Sequence, residues 1–525
     1  MTSRCSIDSV SKSLLRTREP NGAPTRTRRV PLDQSKTPYF QALLDYVDSG
    51  VLPFHTPGHM QGRGSELSFR EFVGDNILAI DLTPMPGIDD LLQPIASIRE
   101  AQELAADAYG ADHTFFLING STSGNQCMMM AALNPGEKIA VPRNSHKSML
   151  GGLVMSGAHP IYMQPAVDQE MHMDNAVTPG TVARTLAEHP DVKAVYIVSP
   201  TYYGVAADLV EIERVTHAAG KLLLVDEAWG PHFHFHPALP VSATQARADL
   251  SINSTHKMLS AFSQCAMLHQ IGDRVRLDRL KSVLKIFLST SPNLPMIASL
   301  DVARMQMATQ GAALLSQTID LAQDTRRRLN LIEGVYCFGE EIQGREGVFD
   351  LDPTKMTVRV TGMGYTGYEA SEILRRRYNI QVELADLFNV VALFTIGTTR
   401  EAAERLVFAF EEMAREDRPL DMYAPSGILE QRLKRGTYRM PQIPPMRMLP
   451  RDAFLADTEF VEFRKSAGRI CAETISPYPP GIPVLSPGEE ITPELIDYLR
   501  LELKAGVRIQ GPHDDALRKI RVVKE

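Results

Sequence analysis

The chain has 525 residues, too many for one ordinary domain and enough for two to four. Hydrophobic residues make up 44% and charged residues 22%, an ordinary globular balance, and 55 Lys+Arg against 63 Asp+Glu leave a net charge of −8. That balance excludes a general coat for nucleic acid or an anionic membrane, and no apolar run approaches the ~18 residues of a spanning helix. The five cysteines, Cys5, Cys127, Cys265, Cys337 and Cys471, are odd in number, scattered and without a CxxC, which argues against a disulfide framework or a cysteine-based zinc site. A soluble protein of a reducing, cytoplasmic compartment is expected, with small molecules rather than nucleic acid or membrane as partners.

Residues 1–36 hold eight Lys/Arg and three Asp/Glu, a local charge of +5 that leaves −13 on the remainder. Ser, Thr, Arg and Pro dominate and large apolar residues are few, so a disordered basic tail is expected. An Arg/Ser-rich organelle-targeting peptide is the alternative.

From about 37 to 320, short apolar runs alternate with helix-period stretches. Strands are predicted at Thr114–Ile118, Lys138–Val141, Ala194–Val198 and Lys221–Val225, with helices such as Ile98–Tyr109 and Val182–Glu188 between them. Buried, non-alternating strands separated by helices predict a mainly parallel sheet covered by helices, with ligands at the strands' carboxyl ends. Residues 321–418 read as a smaller α/β domain, with strands at Thr357–Val360 and Val390–Ile396 and a helix at Glu401–Arg415. A linker at 419–450, rich in Pro and Met at 440–450, leads to a small C-terminal domain at 451–525.

Four strand ends carry reactive side chains. In FLINGSTSGN (116–125), a strand enters the Asn119-Gly120 turn, and Ser121, Thr122, Ser123 and Gly124 open a helix. Hydroxyls and unpaired N–H groups at a helix start favour a phosphate, although Ser and Thr also serve as plain caps. In Arg143–Lys147, His146 follows a strand and can stack on a planar ring or be structural. In LLLVDEAWG, four apolar residues deliver Asp226 to a buried strand end, where a carboxylate needs a pyridinium N–H, an Arg or a metal. In DLSINSTHKML, Lys257 follows another strand, flanked by Ser254, Thr255 and His256. A desolvated lysine becomes a usable amine nucleophile, while a surface salt bridge is the plain alternative. Together, a phosphate cradle, a stacking ring, a buried carboxylate and a strand-end lysine are the parts that hold pyridoxal 5'-phosphate.

The chain resembles the Orn/Lys/Arg decarboxylase class-I family, in segments that run in family order: PFHTPGHMQG (53–62), DLTPMPGIDDL (81–91), FLINGSTSGN (116–125), RNSHKS (143–148), SPTYYGVAADL (199–209), VDEAWGPHFHFH (225–236), STHKMLSAFSQ (254–264) and PYPPGIPVLSPGE (477–489). The resemblance implies an α/β architecture of pyridoxal-phosphate fold type I, aspartate-aminotransferase-like. A large domain with a mainly parallel sheet would be joined by a smaller α/β domain and a small C-terminal domain. It implies Lys257 as the Schiff-base lysine, Asp226 as the partner of the ring nitrogen and His146 as the stacking residue. Ser121, Thr122, Ser254 and His256 fall near the phosphate, and Ser123, Thr201 and Trp229 are further cofactor-binding positions. His256 or Lys257 would return the proton to Cα.

The chain departs from the family pattern at Met60, where a lysine is usual, and at Pro84, where an acidic residue is common. Trp229, AFSQ and His269 look more like the long acid-induced enzymes, whose N-terminal wing domain is not seen in this sequence. A homodimer, or a higher homo-oligomer, is therefore expected. The implied activity is α-decarboxylation of a basic L-amino acid, arginine or lysine ahead of ornithine. The alternatives are an aminotransferase or lyase on the same scaffold and an inactive regulatory paralogue.

Glu383, in VELAD, is either a recogniser of the basic substrate tail or a solvated carboxylate. His232, His234 and His236 alternate along a possible strand, which would turn three imidazoles to one side, but no catalytic metal is expected. His55 and His59 flank Pro57-Gly58 in what reads as a turn near a subunit interface. Met128–Met130 reads as a core helix face, and PYPPG as a rigid loop near the site or a packing turn.

Overall fold

The computed structural model describes residues 32–416, 427, 442–478, 481–504 and 506–525. The expectations for residues 1–31, for most of the 419–450 linker and for the Pro479-Pro480 part of PYPPG lie outside these residues.

The central sheet has seven strands in the order His113–Leu117, Ala266–Gln270, Leu250–Asn253, Leu222–Asp226, Val192–Val198, Lys138–Pro142 and His159–Met163. Only Ala266–Gln270 runs against the others; the remaining pairs are parallel. Its inner strands are apolar almost without interruption, as burial on both faces requires: Ala194–Ile197 and Leu223–Val225 are fully buried. Val198 pairs with Asp226 and Asp226 with Ile252, so three strand ends lie level at one rim. The helix Gly120–Ala132 sits tightly on this sheet because Gly124 has no side chain; a Cβ there would collide with Ile252.

The helix Leu294–Leu329, 36 residues and about 54 Å long at ~1.5 Å per residue, starts with Asn293 accepting from the Met296 N–H and has Pro295 in its first turn. It runs through the expected boundary near 320 without a break. Its first half carries a fully buried pair, Arg304 with Asp301 at 2.5 Å. Arg304 donates to the carbonyls of Gln34 and Lys36, and Asp301 accepts from the Tyr39 N–H. Gln34–Lys36 were expected in the disordered tail; a buried guanidinium needs acceptors, and their carbonyls supply them.

Beyond this helix, an antiparallel sheet, Tyr336–Cys337, Lys355–Arg359, Asn389–Leu393 and Leu384–Ala385, is covered by the helices Gly367–Tyr378 and Arg400–Arg415. The last strand stops three residues before the expected Ile396, where Thr395–Thr398 turns. The C-terminal region packs the ribbon Thr458–Glu462/Lys519–Val523 and the helix Pro493–Lys504 around Phe463, Leu485, Leu499 and Ile520. Cys127, Cys265, Cys337 and Cys471 are buried and unpaired.

One buried ion pair ties this C-terminal region to the central sheet. Arg143, just past the Lys138–Pro142 strand, bonds Glu489 at 2.5 and 3.0 Å and the Val484 carbonyl at 2.8 Å. Removing one member of such a pair strands the other charge in a dry interior. Glu489→Ala is expected to cost about 3–5 kcal/mol in urea denaturation, and a change below about 1 kcal/mol contradicts this.

Candidate active site

The rim of the sheet gathers Lys257, Asp226 and His146. Asp226 closes its strand, with Oδ1 accepting from the Ala228 N–H at 3.1 Å and Oδ2 from Asn125 Nδ2 at 2.8 Å and the Tyr196 hydroxyl at 3.0 Å. A carboxylate offers about four acceptor sites, so one on Oδ1 remains for a further donor. Asn125 also donates to Ser148 Oγ at 2.9 Å, and Ser148 Oγ lies 2.9 Å from His146 Nδ1. A buried polar chain thus links the imidazole to the carboxylate.

His146 caps the helix Lys147–Ser156, its Nδ1 accepting from the Ser148 N–H at 3.2 Å, which leaves its proton on Nε2. Burial, with Lys257 and Lys147, pushes its pKa down to about 4 against the pull of Asp226, so the ring is neutral at pH 7. A neutral, oriented imidazole suits stacking on an electron-poor ring.

Lys257 lies in the one-turn helix Thr255–Met258, its Nζ 3.9 Å from the centre of the Trp229 ring. Burial lowers its pKa, opposed by Asp226 and Glu383, which makes its amine a better nucleophile than a surface lysine. His256 donates from Nδ1 to the Cys265 carbonyl at 2.9 Å, and burial lowers its pKa, leaving Nε2 as a basic lone pair.

Ser254 donates to Ser121 Oγ at 2.7 Å, joining the two loops expected to share a phosphate, at the start of the Gly120–Ala132 helix. Ser121 is half-buried and Thr122 exposed. The Ser123 hydroxyl is turned back onto the Gly120 carbonyl, at 2.9 Å. Thr201 Oγ1 accepts from the Val205 N–H, closing its own turn. Glu383 is exposed, yet its charge acts on Lys257, His256 and Lys355, which puts it at the mouth of the site.

Three residues of the polar chain, Asn125, Ser148 and Tyr196, were not expected from sequence. Nor was Lys355, fully buried at the start of an apolar strand. Its Nζ lies 3.7 Å from the centre of the Trp229 ring and donates to the carbonyls of Thr201 (3.3 Å) and Tyr202 (3.1 Å). Burial and Lys257 drive its pKa well below the ordinary lysine value, against the pull of Asp352.

The strand expected for His232–His236 is a 3-10 turn, Phe233–Phe235. Gly230-Pro231 starts it, and i to i+3 bonds from Phe233 to Gly230 and from Phe235 to His232 continue it. The imidazoles diverge accordingly: His232 Nε2 lies 3.3 Å from Asp352, His234 packs on Tyr109, and His236 bonds Ser316. Among the described residues no three His, Cys, Asp or Glu side chains gather as a metal site. His55 bonds Tyr46 and His59 lies 3.2 Å from Asp81, both in the segment before the sheet. Met128 and Met129 are fully buried in the Gly120–Ala132 helix.

Behind the site, His269 is wholly buried between Thr114 (2.8 Å) and Asn253 (2.7 Å). Burial, with His234, pushes its pKa down to about 3. The folded value lies below the unfolded ~6.5, so the unfolded chain takes up the proton first and stability falls as pH drops below ~6.5. Between pH 6.5 and 4.5 the wild type is expected to lose about 2–3 kcal/mol more than His269→Gln in urea titrations; equal losses contradict this.

The fold and the rim geometry together define a pyridoxal-phosphate fold-type-I architecture. The alanine–glyoxylate aminotransferase of a Nostoc species shares this fold at 18% identity, TM-score 0.51, over 65% of this chain and 92% of that one. The chain belongs to the Orn/Lys/Arg decarboxylase family: residues 37–402 match its major domain and 431–513 its C-terminal domain. The arginine decarboxylase of Bacillus subtilis (strain 168) is 43% identical over 94% of this chain and 99% of its own. The lysine decarboxylase of Francisella novicida superposes with TM-score 0.82 at 26% identity, over 93% of this chain and 81% of that one. No helix among the described residues is long and apolar enough to cross a membrane.

Proposed function

We propose that the chain is a pyridoxal-phosphate-dependent α-decarboxylase of a basic L-amino acid, with L-arginine the first substrate, L-lysine the second and L-ornithine the third. The observation that carries the reading is the convergence of a depressed lysine, a neutral imidazole and a carboxylate with one open acceptor site on the same sheet rim. The start of the Gly120–Ala132 helix, with Ser121 and Ser254 joined beside it, fits a phosphate.

When bound, the cofactor supplies an aldehyde for an amine and an electron sink for the carbon that loses CO2. Lys257 is the residue to hold the aldehyde, since burial keeps its amine nucleophilic. Asp226 is the residue to hold the ring N–H, its charge fixed by three donors from the protein. His146 is the residue to cover one ring face, held by Ser148. His256 Nε2 and the Lys257 amine are the groups able to hand a proton back to Cα. Glu383, exposed at the mouth, is placed to meet a guanidinium or ammonium tail. The order of substrates rests on the 42–43% identical relatives named arginine decarboxylase, with lysine decarboxylases at 26–29%.

We also infer a homodimer: Leu52, Phe54, Leu67, Phe69 and Phe72 all lie exposed in the segment before the sheet, Phe54 and Phe72 by more than nine-tenths, side chains that a partner subunit would cover. Light scattering on the eluted peak checks it.

The purified holoenzyme is expected to release CO2 and the matching amine from L-arginine. No CO2 from arginine, lysine or ornithine overturns the reading, and a keto acid without amine points to transamination. Trp229, the single tryptophan, should change its fluorescence strongly when pyridoxal phosphate is removed; a flat response would separate it from the cofactor.

A further inference from the structure

A cavity of about 130 Å3 opens where three parts of the chain meet. Asp174 comes from the two-stranded ribbon Val167–Asp168/Met173–Asp174, Tyr203 from a turn after the strand Val192–Val198, Tyr368 and Asp386 from beside the four-stranded sheet, and Tyr498 and Glu502 from the C-terminal helix. Lys257, Asp226 and His146 are not among its walls.

The charge on these walls is one-sided. Asp174, Asp386 and Glu502 face one guanidinium, Arg143, which Glu489 already engages through both oxygens. The imidazole of His172 is held below its ordinary pKa by burial and by Arg359.

One of the carboxyls lacks a partner that a buried carboxyl requires, and a second is half-buried in the same cavity wall. Glu502 is 3% exposed; Tyr498 bonds its carboxyl, yet Oε1 has no hydrogen-bond partner. Asp174 is half-buried, with no hydrogen bond to its carboxyl among the described residues. Asp386, by contrast, is satisfied by the Tyr203 hydroxyl and by the Phe388 and Asn389 N–H groups. Burial raises the Asp174 carboxyl, and burial with Asp386 raises Glu502 to about 8, so a proton is what neutralises Glu502 at pH 7 when no cation is bound.

The space favours an elongated organic cation over a metal ion. The carboxyls do not gather as a metal-ligand group. Tyr203, Tyr368 and Phe388 line the same cavity, surfaces suited to methylenes and to an ammonium over a ring face. A cavity of ~150 Å3 holds benzene, with its six heavy atoms; four methylenes with an ammonium at each end have the same count.

We propose that this cavity binds a short α,ω-diamine, one ammonium on Glu502 and the other on Asp174, as a regulatory site separate from Lys257. That the ligand is a cation follows from the walls; that it is an alkyl amine, the class of product made at Lys257, rests on the function proposed above. Asp386 anchors the turn that begins beside Glu383, so an occupant braces the segment that would meet the substrate tail.

Calorimetric titration of the holoenzyme with 1,4-diaminobutane tests the site. Glu502→Gln and Asp174→Asn are each expected to weaken binding at least tenfold while kcat/KM measured without diamine stays within twofold. 1-Aminobutane should bind at least tenfold more weakly than the diamine. Diamine should raise KM at least twofold in the wild type at a concentration that leaves Glu502→Gln unchanged, whereas competition at Lys257 would affect both alike. Unchanged affinity in both variants, or displacement of the diamine by MgCl2 at equal ionic strength, overturns the proposal. Should Glu502→Gln not fold, Asp174→Asn carries the test. A chain that decarboxylates nothing but binds diamine through Glu502 keeps the cavity and loses the catalytic reading; the reverse result removes the cavity alone.

Discussion

Lys257→Ala is expected to reduce CO2 release by at least about 10^4, the scale on which loss of a covalent nucleophile is felt. The same change should abolish borohydride-stable pyridoxyl label on the chain. The test is sharpened by a second amine. Lys257 and Lys355 approach the Trp229 ring to 3.9 and 3.7 Å, and both are depressed. Their surroundings decide between them. Glu383 acts on both amines, but Lys355 spends its protons on the Thr201 and Tyr202 carbonyls and feels Asp352, whereas Asp226 acts on Lys257. Peptide mapping should therefore find the label on Lys257 alone. Label on Lys355, or full activity in Lys257→Ala, would refute the assignment. Lys355→Met should keep the label, because Lys355 holds the Thr201 and Tyr202 carbonyls and is not the labelled amine.

Asp226→Asn should lower kcat by on the order of 10²–10³, the cost of losing one preorganised charge. The amide has no comfortable orientation. With its nitrogen in place of Oδ2 it meets two donors, Asn125 Nδ2 and the Tyr196 hydroxyl; with nitrogen in place of Oδ1 it opposes the Ala228 N–H and the ring N–H alike. The second arrangement breaks fewer bonds within the protein, one against two, and it would leave a cofactor's ring N–H without its acceptor. Asn125→Ala, which keeps the charge but removes one donor and the link to Ser148, should cost about tenfold or more. Equal kcat in wild type and Asp226→Asn would remove the carboxylate from the chemistry.

Much of the sheet was legible because strands buried on both faces must be apolar along their length. LLLVD shows both the strand and the charge at its end, and the four strand ends fell where a parallel sheet puts them. The polar chain was not legible. Asn125 sits inside a helix, Tyr196 inside an apolar strand and Ser148 in a first turn, and each is unremarkable until the fold brings them to Asp226. Lys355 was hidden for a related reason, since a lysine opening a strand reads as an exposed end. The His232–His236 alternation misled because Gly230-Pro231 leads into a 3-10 turn, in which alternate residues do not share a face: His232 is buried beside Asp352 while His234 and His236 are half-buried. The unsatisfied Glu502 is invisible in sequence: its helix is amphipathic, and only the meeting of three parts of the chain closes water out around it.

Arg143 stands three residues before His146, and its counter-charge arrives only with residue 489. During synthesis, then, the imidazole wall of the site is laid down early beside a cation that stays unmatched until the chain is almost finished. A nascent or clipped polypeptide ending short of that glutamate already carries Lys257, Asp226 and His146 and still lacks the clasp that seats the strand end beside His146, so competence should switch on late and all at once.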